Sequence, residues 1–127
     1  MNSDKKIYPE TLYYGKRISA GGGQPVFSKL LPDGIPTELS PVASQKLRNH
    51  SPDGFQWGYG GSGPAQLALA LLLDATMDPE MAQAHYQNFK FFMVASWGEG
   101  WSITRQEILD WLKAEQRSEL QRSFSTN

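Results

Sequence analysis

Apolar positions along the chain fall into two textures. Between Leu12 and Leu31 they alternate with polar residues and are interrupted by glycine and proline, whereas from Pro64 onward they recur at helical spacing. The first texture predicts two or three short strands: Leu12 to Ile18, a break at Gly21-Gly22-Gly23, Val26 to Leu31, and a turn at Pro32-Asp33-Gly34. Pro25, Pro32, Pro36 and Pro41 cannot donate to a ladder, so these strands are edges or ends and the antiparallel sheet is small.

The second texture predicts about three helices. Residues 64–75, PAQLALALLLDA, are rich in the strongest helix formers, carry Pro64 in the first turn, and are apolar on every side, which places this helix at the centre of the domain. Asp78-Pro79 is an N-cap followed by a first-turn proline, opening a helix that continues towards Ser96 and buries Ala82, Tyr86, Phe89 and Phe92 or Met93. Thr104 and Glu107 have capping-box spacing, with Ile103 and Ile108 as the hydrophobic staple, and Ile108, Trp111 and Leu112 face inward. Residues 115–127 lose apolar periodicity and read as a frayed helical tail. The expected fold is therefore α+β, a single domain over 1–127 with a small N-terminal antiparallel sheet packed on the helices.

Composition narrows the function classes. Twelve Lys and Arg against thirteen Asp and Glu leave a formal net charge of −1, so no global basic field recruits nucleic acid or an anionic membrane. No cysteine is present, which removes disulfides and thiolate chemistry and suits the cytoplasm. The polar start MNSDKK is unlike a signal peptide, and the longest apolar run, Leu67 to Leu73, is too short to span a bilayer. With only His50 and His85, and no spaced carboxylates, neither a metal site nor a cofactor is expected.

Chemistry concentrates in Arg48 to Gln66, RNHSPDGFQWGYGGSGPAQ, where Gly58, Gly60, Gly61 and Gly63 fall within six residues. One reading is architectural: the glycines let the central helix pack under a sharp turn, with Ser62 or Gly63 as its N-cap. The other is a ligand site, because a helix start leaves unpaired N–H donors and a positive dipole end that favour an anion. Arg48, Asn49, His50 and Ser51 add polar heads, and Phe55, Trp57 and Tyr59 alternate as a strand would, offering either a core face or a stacking platform. Gly60, Gly61, Ser62 and Gly63 would present backbone donors, Trp57 or Tyr59 would stack, and Gln66 would read an edge or stabilise the loop.

Familiar catalytic patterns fit poorly. Residues 58–63 satisfy G-x-G-x-x-G, yet no buried parallel strand precedes them, so the dinucleotide-fold context is missing. His50, Ser62 and Asp53 do not make a hydrolase triad, since Pro64 stands where G-x-S-x-G requires glycine. His85 reads as a packed or surface helix residue. Trp97 and Trp101, flanking Gly98-Glu99-Gly100, are expected to cover the end of the core, and Lys113, Arg117 and Arg122 to form a solvated tail.

The stretch LRNHSPDGFQWGYGGSGPAQLALALL, with Tyr86, Phe89 and Lys90 and then Trp101, Ile108 and Trp111, resembles an uncharacterised domain family, DUF6166. The resemblance covers Leu47 to Leu112, with a loose YYGKRI match before it, and its signature falls on Asn49 to Pro52, Gly54, Trp57, Gly58, Gly60 to Pro64 and Gln66. No reaction comes with it. Occurrence of such proteins in bacteria, plasmids and phages implies an accessory protein of mobile elements.

These readings lead to a non-enzymatic binding protein that captures a phosphorylated, nucleotide-like ligand, such as a cyclic-nucleotide immune signal, at the start of the central helix. The alternative is inhibition of a host defence protein by direct contact, with the glycine motif purely structural. A third reading, less favoured, is an enzyme using His50 as general base. A homodimer suits a sequestering role, although no apolar pattern marks an interface.

Overall fold

The computed structural model describes residues 10–18 and 22–125. Three strands come first, β1 (Glu10–Lys16), β2 (Val26–Leu31) and β3 (Thr37–Glu38), followed by the helices α1 (Val42–Leu47), α2 (Ser62–Thr76) and α3 (Pro79–Phe92). A 3₁₀ turn (Val94–Ser96), strand β4 (Gly100–Thr104) and helix α4 (Arg105–Ser125) complete the chain. The sheet order is β3-β2-β1-β4 with every pair antiparallel, which makes the fold α+β as the sequence patterning indicates. The predicted break at Gly21-Gly22-Gly23 includes one residue, Gly21, outside the described residues.

The central helix is buried as its composition demands. Every residue of α2 from Gly63 to Leu72 is buried; α3, α1 and α4 pack against it, and the strands add Tyr13, Val26 and Ile103 to the same core. Strand alternation sends Tyr13 and Ile103 into this core from neighbouring strands, where they are register partners. The Tyr13 hydroxyl stays buried and donates to Asp74 Oδ2 at 2.6 Å, tying β1 to the end of α2. Burial and the neighbouring carboxylate both hold this phenol protonated far above the usual tyrosine range.

Helix α3 starts as read: the Asp78 carboxylate accepts from the N–H groups of Glu80 and Met81, and Pro79 occupies the first turn. It ends at Phe92, short of Ser96, because the backbone leaves helical geometry at Met93 and tightens into the 3₁₀ turn. The capping box of α4 is formed reciprocally, Thr104 N–H to Glu107 Oε1 at 2.9 Å and Glu107 N–H to Thr104 Oγ1 at 3.0 Å. Thr104→Ala removes one of these bonds at an exposed helix end and is expected to cost about 1 kcal/mol in urea unfolding. A loss below experimental error would mean that water replaces the cap.

Several stretches depart from the sequence expectations. Strand β4 comes from the C-terminal half and pairs with β1, so the sheet is not built from the N-terminal part alone. Residues 54–57 form no strand despite the alternation of Phe55, Trp57 and Tyr59. Phe55 and Trp57 are buried, but Gly58 turns the chain at φ +88°, where a side chain would be strained and its Cβ would lie 2.9 Å from the Trp97 carbonyl oxygen. Tyr59 therefore leaves the core face. Helix α4 continues through the stretch read as a frayed tail to Ser125.

Candidate functional site

The region around the start of α2 is organised by one side chain. Gln66 is fully buried in the second turn of α2, and its amide reaches back under the loop that joins α1 to the glycine cluster. Its Oε1 accepts the N–H groups of His50 at 2.7 Å and Ser51 at 3.0 Å, while its Nε2 donates to Ser44 Oγ at 2.9 Å and to the Arg48 carbonyl at 3.1 Å. All four hydrogen-bonding positions of the amide are thus filled by protein. Of the two roles expected for Gln66, stabilising the loop has this geometry, and no free donor or acceptor remains to read a ligand.

From the other side, Gln45 Nε2 of α1 donates to the Ser51 carbonyl at 2.9 Å. The loop 48–52 is held by both helices.

Beside this loop lies a cavity of about 390 Å³, walled in part by Ser51, Asp53, Gln56, Tyr59, Ser62 and Gly63. The α2 N-cap is Gly61, not Ser62 or Gly63, because Gly61 is extended (φ −108°, ψ −162°) and the Ala65 N–H already closes the first turn onto its carbonyl at 3.1 Å. Ser62 and Gly63 are the first helical residues, whose N–H groups have no intrahelical partner. Gly63 also permits a close approach: a Cβ there would lie 2.5 Å from Gln56 Cβ, so the 54–57 segment packs directly on the helix.

The aromatics separate by role. Tyr59 is half exposed, lines the cavity and lays its ring over Gly61. Trp57 has no exposed surface and cannot stack a ligand, which corrects the reading that offered it as a platform. Its Nε1 donates to the Gly98 carbonyl at 2.7 Å, and the edge of Trp101 meets it with centroids 5.5 Å apart. Trp101 in turn stacks on Trp97 at 4.3 Å, so this pair walls the core.

The remaining polar heads of the motif do not line the cavity. Arg48 and Asn49 are exposed, and Gly60 is exposed with no neighbour near its Cα hydrogens. His50 turns towards α3, where its Nε2 lies 2.6 Å from Tyr86 Oη. Gln87 Nε2 donates to the same oxygen at 3.1 Å, so the Tyr86 hydroxyl is held by hydrogen bonds from two sides. Burial, and then the positive charges of Arg48 and Lys90, hold the His50 imidazole below the ordinary histidine range.

Three residues near this site have functional potential that spacing alone did not single out. Arg17 donates to Gln56 Oε1 at 3.1 Å and to the Trp57 carbonyl at 3.0 Å, clamping the segment behind the cavity. Tyr86 and Lys90, at i and i+4 on α3, share the face that meets His50; that spacing was a visible signal, but Tyr86 read simply as core.

Among the described residues no cluster of three metal-binding side chains occurs, and no helix is long and apolar enough to cross a membrane. Comparison with curated proteins and with solved structures finds no significant match. The sequence profile of a family of unknown function matches residues 13–114, from within β1 through the braced loop and the glycine turn to the first half of α4. The chain therefore belongs to that family, DUF6166.

Proposed function

We propose that this protein is a non-enzymatic binding module that captures a phosphorylated, nucleotide-like ligand in the cavity at the start of α2. The observation that carries the reading is the meeting, in one cavity of about 390 Å³, of first-turn helix donors at Ser62 and Gly63 with the exposed ring of Tyr59. The volume lies at the small end of the range for ligand pockets. A phosphate at the helix start is favoured by the orphan N–H groups and the dipole, and a base stacks on Tyr59. Asp53, on the same wall, accepts from sugar hydroxyl or base amino donors and repels a phosphate placed beside it. Polarity is thus assigned within the cavity.

In the mobile-element setting that the family resemblance implies, a cytoplasmic protein of this kind would sequester a nucleotide signal of host immunity. The test is thermal melting across nucleotides, cyclic dinucleotides and inorganic phosphate, since a ligand of the native state raises the melting temperature. A selective rise with a nucleotide is expected, and Tyr59→Ala, a change at an exposed ring, should weaken it by about tenfold in Kd, as loss of one stacked base does. A flat panel would overturn the reading in favour of inhibition by protein contact, for which the exposed and edge-paired Phe91 and Phe92 on α3 offer apolar area.

A further inference from the structure

We infer that Arg48, His50 and Lys90 form an anion-binding site for a phosphate group, separate from the cavity and adjoining it along loop 48–51. The site is built from two elements that α2 holds together. Gln66 fixes the backbone on either side of His50, through the Arg48 carbonyl and the N–H groups of His50 and Ser51. Tyr86 fixes the ring, and Lys90 stands one helical turn beyond Tyr86 on the same face of α3.

Charge completes the argument. Among the described residues, neither the Arg48 guanidinium nor the Lys90 ammonium has a carboxylate partner or a side-chain hydrogen bond. The groups that face His50 are Arg48 from its own loop and Tyr86 and Lys90 from α3, while α2 presents the neutral Gln66. Two fixed positive charges and a third, protonatable head therefore share one place with no counter-charge. Like charges at that spacing repel, and both Arg48 and Lys90 disfavour the imidazolium. A bound dianion reverses that balance: it pairs with Arg48 and Lys90 and draws a proton onto His50, so binding and protonation favour one another. Free phosphate and a phosphate monoester share this chemistry.

The imidazole of His50 is the reporter, and His85, whose ring lies beside Glu119 of α4, is the internal reference, as the chain has only these two histidines. Inorganic phosphate, inorganic sulfate and adenosine monophosphate are titrated separately at constant ionic strength, with chloride as the control, while NMR follows both rings. Phosphate and sulfate should each move the His50 resonances selectively and raise its titration midpoint. Sulfate, which keeps its two charges through this range, should bind more weakly as pH rises through that midpoint.

Arg48→Gln and Lys90→Gln, both at accessible positions, should each weaken sulfate binding by about fivefold, the size of one solvent-screened charge-assisted contact. Each should also raise the anion-free midpoint of His50. An equal response to chloride, or anion binding that leaves His50 unmoved, overturns the site. Nucleotide-induced stabilisation with no anion response at His50 removes this site and leaves the cavity reading intact; an anion response with a flat nucleotide panel does the reverse.

Discussion

Replacing Trp57 by alanine is expected to destabilise the protein by about 4 kcal/mol, the range for removing a large aromatic from a core. The side chain has no exposed surface, and it lies in an irregular segment that no ladder holds in place. Packing and a few hydrogen bonds fix that segment. The ring meets the edge of Trp101 at 5.5 Å and carries the Arg17 guanidinium 5.2 Å above its face, and Arg17 binds the Trp57 carbonyl. Truncation leaves a cavity beneath the glycine turn and removes the surface against which Arg17 is ordered. Against a total stability of roughly 5–15 kcal/mol, such a loss brings a large unfolded population into reach of mild urea.

Trp57→Phe separates the two parts of the effect. It keeps an aromatic ring in the core, loses part of the indole's volume, and removes the Nε1–H bond to the Gly98 carbonyl; Gly98 is exposed, so water can take that donor's place. A cost of about 1–2 kcal/mol is expected. Urea unfolding followed by the other three tryptophans measures both variants. If Trp57→Ala unfolded within 1 kcal/mol of the parent, the account of Trp57 as a fully packed core residue would be wrong. The same pair bears on the proposed ligand capture: Trp57→Phe should retain nucleotide affinity where Tyr59→Ala weakens it, because Tyr59 is the aromatic that lines the cavity.

The contrast between these two aromatics shows which parts of the molecule were legible in the sequence. Signals that act within one turn of helix were read correctly: the Asp78-Pro79 start, the Thr104–Glu107 capping box, and the all-round burial of α2. The two helix starts are local contacts, complete within four or five residues, and the burial of α2 follows from the apolar composition of that one segment. Strand β4 was missed because GWSIT is short and its partner is β1, some ninety residues earlier; nothing in five residues announces that pairing. Helix α1 was missed for a related reason, being six residues long with no side-chain cap.

The site divides in the same way. The crowding of glycines and polar heads located it, but the outward turn of Tyr59 depends on a positive φ at Gly58, and the approach of Lys90 to His50 depends on how α3 docks. Periodicity describes one element at a time. It is silent about which backbone groups a buried amide will reach from the next element, and that information decides what Gln66 does.

Gln66→Leu tests that brace, with an expected cost of about 3 kcal/mol. Four hydrogen bonds disappear, yet the penalty is set by the partners that water cannot reach. The Ser44 hydroxyl is buried but still donates to the Pro41 carbonyl at 2.9 Å, so it loses an acceptor contact and not its only bond. The His50 and Ser51 N–H groups are half-buried, and the loop can admit water only by moving off α2. Two partly stranded donors, at about 1–3 kcal/mol each, outweigh the small gain from a buried apolar side chain. Hydrogen exchange should show the His50 and Ser51 amides losing protection while the centre of α2 keeps its own. Unchanged exchange at those two amides would remove Gln66 from its role.

Gln66→Glu gives a pH signature that the leucine variant lacks. An ionised carboxylate accepts from His50 and Ser51 as the amide does, but it faces the Arg48 carbonyl oxygen with no proton to share. Burial and that oxygen both favour the neutral acid, so its pKa in the folded state lies above that of an exposed glutamate. The native state then binds the proton more tightly than the unfolded chain, and stability must rise as pH falls through the folded-state value. The variant should therefore be weakest at neutral pH and recover towards the parent under mild acid, while Gln66→Leu shows no such recovery.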